Sequence, residues 1–376
     1  MPGAEREIMS EDDQVLFEEI PCESGKKIGR ITLNAPRSLN SLALGMIQRA
    51  HQQLLDWEDD DSIACIWLEG AGEKAFCAGG DIVEMYNSMT PPGERNPFTE
   101  EYFASEYRLD YLIHVYEKPV IVWGHGVVMG GGMGLMQGAD HRIVTEKSKL
   151  AMPEITIGLY ADVGASWFLN RTPGKTGLFA GLTGVHLNAG DALFMGLADV
   201  YIHAGRKEEV IEGLKGLSLT AHEHTDHVLI HRLLREEAPE EKPESPIHQH
   251  LDDINDVCDR ATLEDVVDAM EHHKNDSDFM HRAVSNLERG CAQTAWLVWE
   301  ELERARYYSL AECFRMEWCI STQCAMHPDF REGVRALLVD KDGQPKFRFR
   351  HVYEVPEGYI DNFFVPPAPD NPLDDL

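Results

Sequence analysis

Residues 127–169 read VVMGGGMGLMQGADHRIVTEKSKLAMPEITIGLYADVGASWFL. Three consecutive glycines, Gly130, Gly131 and Gly132, stand between a β-like run and the apolar segment MGLMQGA. Glycine loses more backbone freedom on ordering than any other residue, so three in a row are costly inside a helix or strand. Just ahead of a helix-like segment they leave backbone N–H groups free at its start, where an anion or a developing negative charge is stabilised. A tight strand-to-helix turn explains the same residues, and this stretch alone does not separate the two. Two isolated acids follow, Glu154 and Asp162. Their spacing corresponds to about 12 Å of rise in a helix and about 26 Å in a strand. Neither brings the carboxylates together, so shared chemistry needs a bend, which Gly158 can supply. Helix caps or surface charges are the plain alternative.

Working outward, the same strand–glycine–helix unit occurs earlier. Ile63 to Leu68 (IACIWL) is an apolar run expected as a buried strand. Gly79-Gly80-Asp81 follows, with Asp81 placed to cap the next helix. Residues 87–100 are expected as a mobile loop, Glu101 to Val115 as a helix, and Pro119 to Trp123 as the strand that enters the triple glycine. Two glycine turns can point two backbone N–H groups at one oxygen, an oxyanion hole with donors typically about 2.7–3.1 Å from the charge. Two carboxyls downstream can then do acid–base or nucleophilic work. Nearer the N-terminus, Val15 to Ile20 and Ile28 to Leu33 alternate as a hairpin around Ser24-Gly25. Ser41 is placed to cap a helix carrying Leu44, Ile47, Leu54, Leu55 and Trp57. After the opening stretch come helices at 174–182 and 189–195 and a last strand, LADVYI (197–202). The acidic, Pro-containing EEAPEEKPE (236–244) marks a linker, and from Pro246 to Leu338 the patterns are helical. The expected division is a core over 14–205, connecting helices and linker over 206–250, a helical region over 251–340 and a loop-rich tail over 341–376.

The chain has 376 residues, 43% of them hydrophobic, with 34 basic and 65 acidic side chains and a net charge of −31. A packed core is expected. So acidic a chain repels nucleic acid and anionic membranes, so neither is expected as a partner. Eight scattered cysteines without a CxxC pair fit a reducing compartment. There is no run of eighteen apolar residues, and the start, MPGAEREIMSEDD, has neither an apolar h-region nor an Arg-rich transit character. A mobile tail over 1–13 and a cytoplasmic protein are the expectations.

KAFCAGGDI (74–82), HGVVMGGGMGL (125–135), AMPEITIGLYADVG (151–164) and DFREGVRALLVDKDGQPKF (329–347) together resemble the crotonase (enoyl-CoA hydratase/isomerase) superfamily, and within it the branch of 3-hydroxyisobutyryl-CoA hydrolases. The resemblance runs over about residues 28–205 and 310–350. It implies an α/β fold, a β/β/α spiral core with a C-terminal helical region. It also implies an acyl-CoA thioester substrate, from valine breakdown in that branch, with its carbonyl oxygen between the N–H groups of Gly80 and Gly131. Glu154 and Asp162 map onto the catalytic carboxylates and Glu106, in the pattern E-Y-x-L, onto a substrate contact. Ala78, Asp81 and Ile82 fall where the adenine end would lie, and Arg37, in LNAPRSLNSL, is a phosphate partner by position. No metal or redox cofactor is implied. A homo-oligomer is compatible with the superfamily, while the extra C-terminal residues offer to cover the same surface. Hydratases carry a second glutamate in the pattern GGGxE, and here that position is Gly134. Water addition by two glutamates is thereby disfavoured; isomerisation on a single Glu stays open. Ala161 stands where proline is usual, and the bulky Trp167 in a normally glycine-rich stretch suggests a reshaped acyl pocket.

A second class competes on one motif. His222, His224, Asp226 and His227, in SLTAHEHTDH, have the spacing of metallo-β-lactamase-type hydrolases, and such residues can ligate zinc. The glycines usual after that motif are missing, VLIHRLLREE reads as a helix, and a solvated polar loop or helix start is the plainer reading. A third reading, a scaffold that binds acyl-CoA without turnover, is opposed only by the presence of both Glu154 and Asp162.

Overall fold

A computed structural model describes residues 13–376. The tail expected over 1–13, and with it the reading of the N-terminal stretch, lies outside the described residues apart from Asp13.

The hairpin forms as expected: β1 (Val15–Pro21) pairs antiparallel with β2 (Lys27–Leu33), Val15 opposite Leu33. From β2 onward the pairing is parallel. Strands β3 (Ile63–Gly70), β5 (Val120–Gly124), β7 (His141–Val144) and β9 (Val200–Tyr201) continue the large sheet in the order β1-β2-β3-β5-β7-β9. A smaller parallel sheet, β4-β6-β8, is made of Ala75–Cys77, Val127–Met129 and Lys149–Ala151. Each turn of chain thus lays one strand in each sheet and then a helix, the β/β/α spiral that was expected. β3 is buried along its whole length, as its unbroken apolar run requires of a strand covered on both faces. Trp67 and Trp123 stack across β3 and β5 with ring centroids 5.8 Å apart.

Four helices frame the centre: α1 (Leu44–Glu58), α2 (Ile82–Ser88), α3 (Pro97–Val115) and α4 (Gly131–Gln137). Asp81 caps α2 as expected, its Oδ1 accepting the Glu84 N–H at 3.0 Å. Ser41 does not cap α1; Ala43 holds the cap position and makes no side-chain bond there. Helix α3 begins at Pro97 rather than Glu101, because Asn96 accepts the N–H groups of Phe98 and Thr99. The last strand shrinks to Val200–Tyr201.

Beyond the linker the chain is helical, as its periodicity indicates. Leu263, Val266, Val267 and Met270 are all buried on one face of the Leu263–His273 helix. The Leu310–Met326 helix packs along α3, and the Ala292–Ala305 helix lies against Thr176–Thr183. A π-helical turn, Arg335–Val339, follows the short Pro328–Val334 helix. Among the described residues no helix is long and apolar enough to cross a membrane.

Candidate active site

The two glycine turns meet. A Cβ added to Gly79 would lie 3.5 Å from the backbone nitrogen of Gly131 and 3.2 Å from the carbonyl of Met129. Such contact is open only to backbone without a side chain between. Gly130 has φ +50° and ψ −123°, a conformation close to glycine-only. It turns β6 into α4 and leaves Gly131 as the first helical residue. Neither Gly80 nor Gly131 donates its N–H to another of the described residues. The LNAPRSLNSL turn docks on the first glycine loop: Leu42 N–H reaches Gly79 O at 2.9 Å and Asp81 N–H reaches Leu42 O at 2.8 Å.

The bend between the acids is real. Glu154–Thr156 is a short 3₁₀ turn, with the N–H groups of Ile157 and Leu159 both donating to Glu154 O. Gly158, at φ +73°, then reverses the chain. The C-terminal helical region holds the loop in place: Cys291 N–H reaches Ile155 O at 2.9 Å and the Thr294 hydroxyl reaches Leu159 O at 2.6 Å. As a result Glu154 and Asp162 face one cavity of about 340 Å³.

Of the residues singled out from sequence, Ala78, Gly80, Ile82, Glu106, Gly131, Glu154 and Asp162 all line that cavity. Two do not. Asp81 spends its carboxylate on the α2 cap, and Arg37 is exposed on the 3₁₀ turn Pro36–Ser38, away from the lining. Trp167 does not reshape the pocket either: it lies outside the lining, with the Arg171 guanidinium 3.1 Å above its ring. Sequence reasoning missed Leu337 and Leu338, exposed apolar side chains of the π-turn that join the cavity lining.

The polar content of this site is nearly all carboxylic. Glu106, Asp110, Glu154 and Asp162 are all buried. Glu106 Oε1, Glu154 Oε2 and both oxygens of Asp110 have no hydrogen-bond partner among the described residues. Such groups cannot all be charged at close quarters in a low-dielectric setting. Burial, then the Asp162 charge, pushes Glu154 well above the usual carboxylate range. Glu106 is raised for the same two reasons. Asp110 is raised by burial and then by Glu106 and Asp162. Asp162 is pushed up only to about 6, because the Tyr107 hydroxyl donates to its Oδ2 at 2.6 Å and offsets part of the burial. Asp162 is therefore the readier of the two to ionise, while burial favours the protonated form of Glu154.

A carboxyl raised above its unfolded value binds a proton more tightly in the folded state, so its stabilising contribution is full at low pH and fades as pH climbs to the folded value. Wild type should lose stability relative to Asp162→Asn as pH rises from about 4 to about 6. Urea unfolding of both proteins across that window checks this; parallel curves would contradict it.

Gly134 gains a steric meaning. A Cβ there would meet Asp110 Oδ2 at 2.6 Å and Val163 Cβ at 2.7 Å. No longer side chain fits, so a second glutamate cannot enter the cavity from α4.

The histidine motif does not assemble. Asp226 is fully buried and accepts the N–H groups of Thr220 at 2.9 Å and Ala221 at 2.7 Å, which fixes the start of the Glu223–Glu237 helix. His227 turns to His141 at 3.1 Å and Asp140 at 3.3 Å, while His222 and His224 are exposed. Helical geometry spreads the four around the axis, and no metal-competent group of three forms among the described residues.

With this geometry in view, the family described as enoyl-CoA hydratase/isomerase matches residues 28–364. The 3-hydroxyisobutyryl-CoA hydrolase, mitochondrial, of Gallus gallus is 35% identical over 339 residues, 90% of this chain and 86% of that one. The protein of the same name from Homo sapiens is 33% identical over 352 residues, 94% and 88%. Among solved structures, a carnitinyl-CoA dehydratase from Mycobacterium thermoresistibile superposes with a TM-score of 0.86 at 32% identity, covering 97% of this chain and 100% of that one. An enoyl-CoA hydratase from Rhodobacter sphaeroides 2.4.1 superposes with a TM-score of 0.82 at 30% identity, covering 95% and 98%.

Proposed function

Because the chain belongs to the enoyl-CoA hydratase/isomerase family, we propose that it is an acyl-CoA thioester hydrolase acting on 3-hydroxyisobutyryl-CoA, the substrate in its relatives' names. The observation that carries this reading is the convergence of two free glycine N–H groups and two buried carboxyls on one cavity. The thioester carbonyl oxygen sits between the N–H groups of Gly80 and Gly131, which stabilise the charge that develops when the carbon becomes tetrahedral. Glu154 adjoins this point: a Cβ on Gly130 would lie 2.8 Å from its Oε1. Burial and mutual repulsion disfavour ionising both Glu154 and Asp162 at once, so in the reacting state the pair carries one proton. The ionised partner, Glu154 when the proton rests on Asp162, attacks the carbonyl carbon or takes a proton from an attacking water. The protonated partner gives its proton to the departing CoA thiolate; in the covalent route a water then cleaves the acyl–Glu154 anhydride, and either route ends in the free acid and CoA thiol. Glu106 meets the substrate from α3. The residues require no metal or redox group for this.

A second reading, addition of water to or its removal from an acyl-CoA, is favoured by the names of the two well-superposed structures. Against it stands the filled space at Gly134, which leaves α4 without a carboxylate. The test is thiol release from 3-hydroxyisobutyryl-CoA, followed with a thiol reagent, beside loss of double-bond absorbance from an enoyl-CoA. Thiol release supports hydrolysis; hydration or a shifted double bond without thiol would replace it. Single-turnover reaction in labelled water then separates the two routes: unlabelled oxygen from the enzyme in the product acid marks attack by Glu154. Cytoplasmic placement also belongs to the proposal. The relatives are named mitochondrial, and cell fractionation with an antibody to the chain decides it.

A further inference from the structure

Asp162 is held from behind by a helix that is remote in sequence. Its Oδ2 accepts the Tyr107 hydroxyl at 2.6 Å. The Tyr107 oxygen is in turn 2.6 Å from the Ser321 hydroxyl. Ser321 lies 3.0 Å from the Tyr160 hydroxyl, whose proton goes to the carbonyl of Glu317 at 2.7 Å. With Asp162 ionised, Tyr107 has a single proton and gives it to the carboxylate, so Ser321 must give its own to Tyr107. The Tyr107 and Ser321 hydroxyl dipoles then both point toward Asp162 and reinforce one another, while Tyr160 spends its proton on the Glu317 carbonyl.

The same helix also shapes the turn that follows Asp162. The Glu317 carboxylate accepts the Gly164 N–H at 2.7 Å, the Ser166 N–H at 3.0 Å and the Ser166 hydroxyl at 2.5 Å. Just before them Val163 sits at φ +56°. A β-branched residue in that region is strained and persists only where its surroundings over-determine it. Glu317 supplies three such constraints. None of Tyr107, Ser321 and Glu317 lines the cavity.

We propose that Tyr107 and Ser321, with Glu317 as their anchor on the Leu310–Met326 helix, are positioning residues that direct Asp162: the relay claims Oδ2 and leaves Oδ1 to serve the cavity. The proposal rests on the hydrolase reading and adds to it a device supplied by the C-terminal helical region.

The test is a double-mutant cycle on thiol release from 3-hydroxyisobutyryl-CoA, using wild type, Tyr107→Phe, Asp162→Asn and the double variant. Tyr107→Phe removes one oxygen and keeps the buried ring. It should lower kcat about 10- to 100-fold, the worth of one charge-assisted hydrogen bond, with KM changed less than about threefold. In the Asp162→Asn background it should cost nothing further, because residues acting as one unit are not additive. A merely structural tyrosine would give losses that multiply. Ser321→Ala repeats the cycle from the next link, and covers the case in which Tyr107→Phe does not fold. Wild-type kcat in Tyr107→Phe, or multiplying losses, overturns the relay while leaving the hydrolase reading intact. Wild type that releases no thiol overturns the hydrolase reading and the relay with it.

Discussion

Glu154→Gln should abolish thiol release, with kcat down by about 10³-fold or more, the span covered by loss of a positioned acid–base or nucleophilic group. The amide keeps the shape of the side chain and its place beside Gly130, so folding and substrate binding should survive. It cannot take a proton from water or form an acyl bond. Burial favours the protonated form of Glu154, so the substitution should leave stability unchanged or raise it slightly. Thiol release with circular dichroism and urea unfolding checks both halves. A variant that keeps more than about a tenth of wild-type kcat would move the chemistry to Asp162 alone.

Gly130→Ala should cost activity and stability together. The backbone there (φ +50°, ψ −123°) is one that residues with a Cβ occupy at a cost of about 1–3 kcal/mol. The new Cβ would also stand 2.8 Å from Glu154 Oε1. That oxygen ends a side chain, so the carboxyl swings aside more readily than the backbone moves. A displacement on the order of 1 Å at the reacting centre is worth about 10²-fold in rate. The expected result is a kcat lowered about 10²-fold with a smaller change in KM, alongside a lower urea midpoint. Loss of stability with unchanged kcat would mean that Glu154 does not stand where the reaction occurs.

The fold and the floor of the site were readable because their signals are local. Adjacent glycines, an apolar strand before each and a helix after each declare the two turns within a dozen residues. Gly158 announced the bend between Glu154 and Asp162 for the same reason. What failed depended on neighbours far along the chain. Tyr107 and Ser321 are 214 residues apart in sequence, and nothing near either marks it as a partner of Asp162. Asp110 reads as an ordinary polar position on a helix until Gly134 is seen packed against it. Leu337 and Leu338 read only as the end of a helical pattern, yet a π-turn brings them to the cavity. The histidine motif failed in the opposite direction: its spacing is suggestive on paper, but Asp226 is committed to backbone N–H groups. Trp167 raised concern by its bulk, which Arg171 covers outside the pocket.

The cavity wall at Leu337 and Leu338, and the clamp on Asp162 from Glu317 and Ser321, give the protein a schedule. Chains emerge N-terminus first during synthesis and can begin to fold as they do. Both glycine turns and both acids are synthesised before residue 188, half of the 376. At that stage Val163 has no clamp, Asp162 has no relay and the cavity lacks Leu337 and Leu338. A chain cut between Asp162 and Leu310 should therefore carry Glu106, Glu154 and Asp162 and yet lack the helix that directs Asp162.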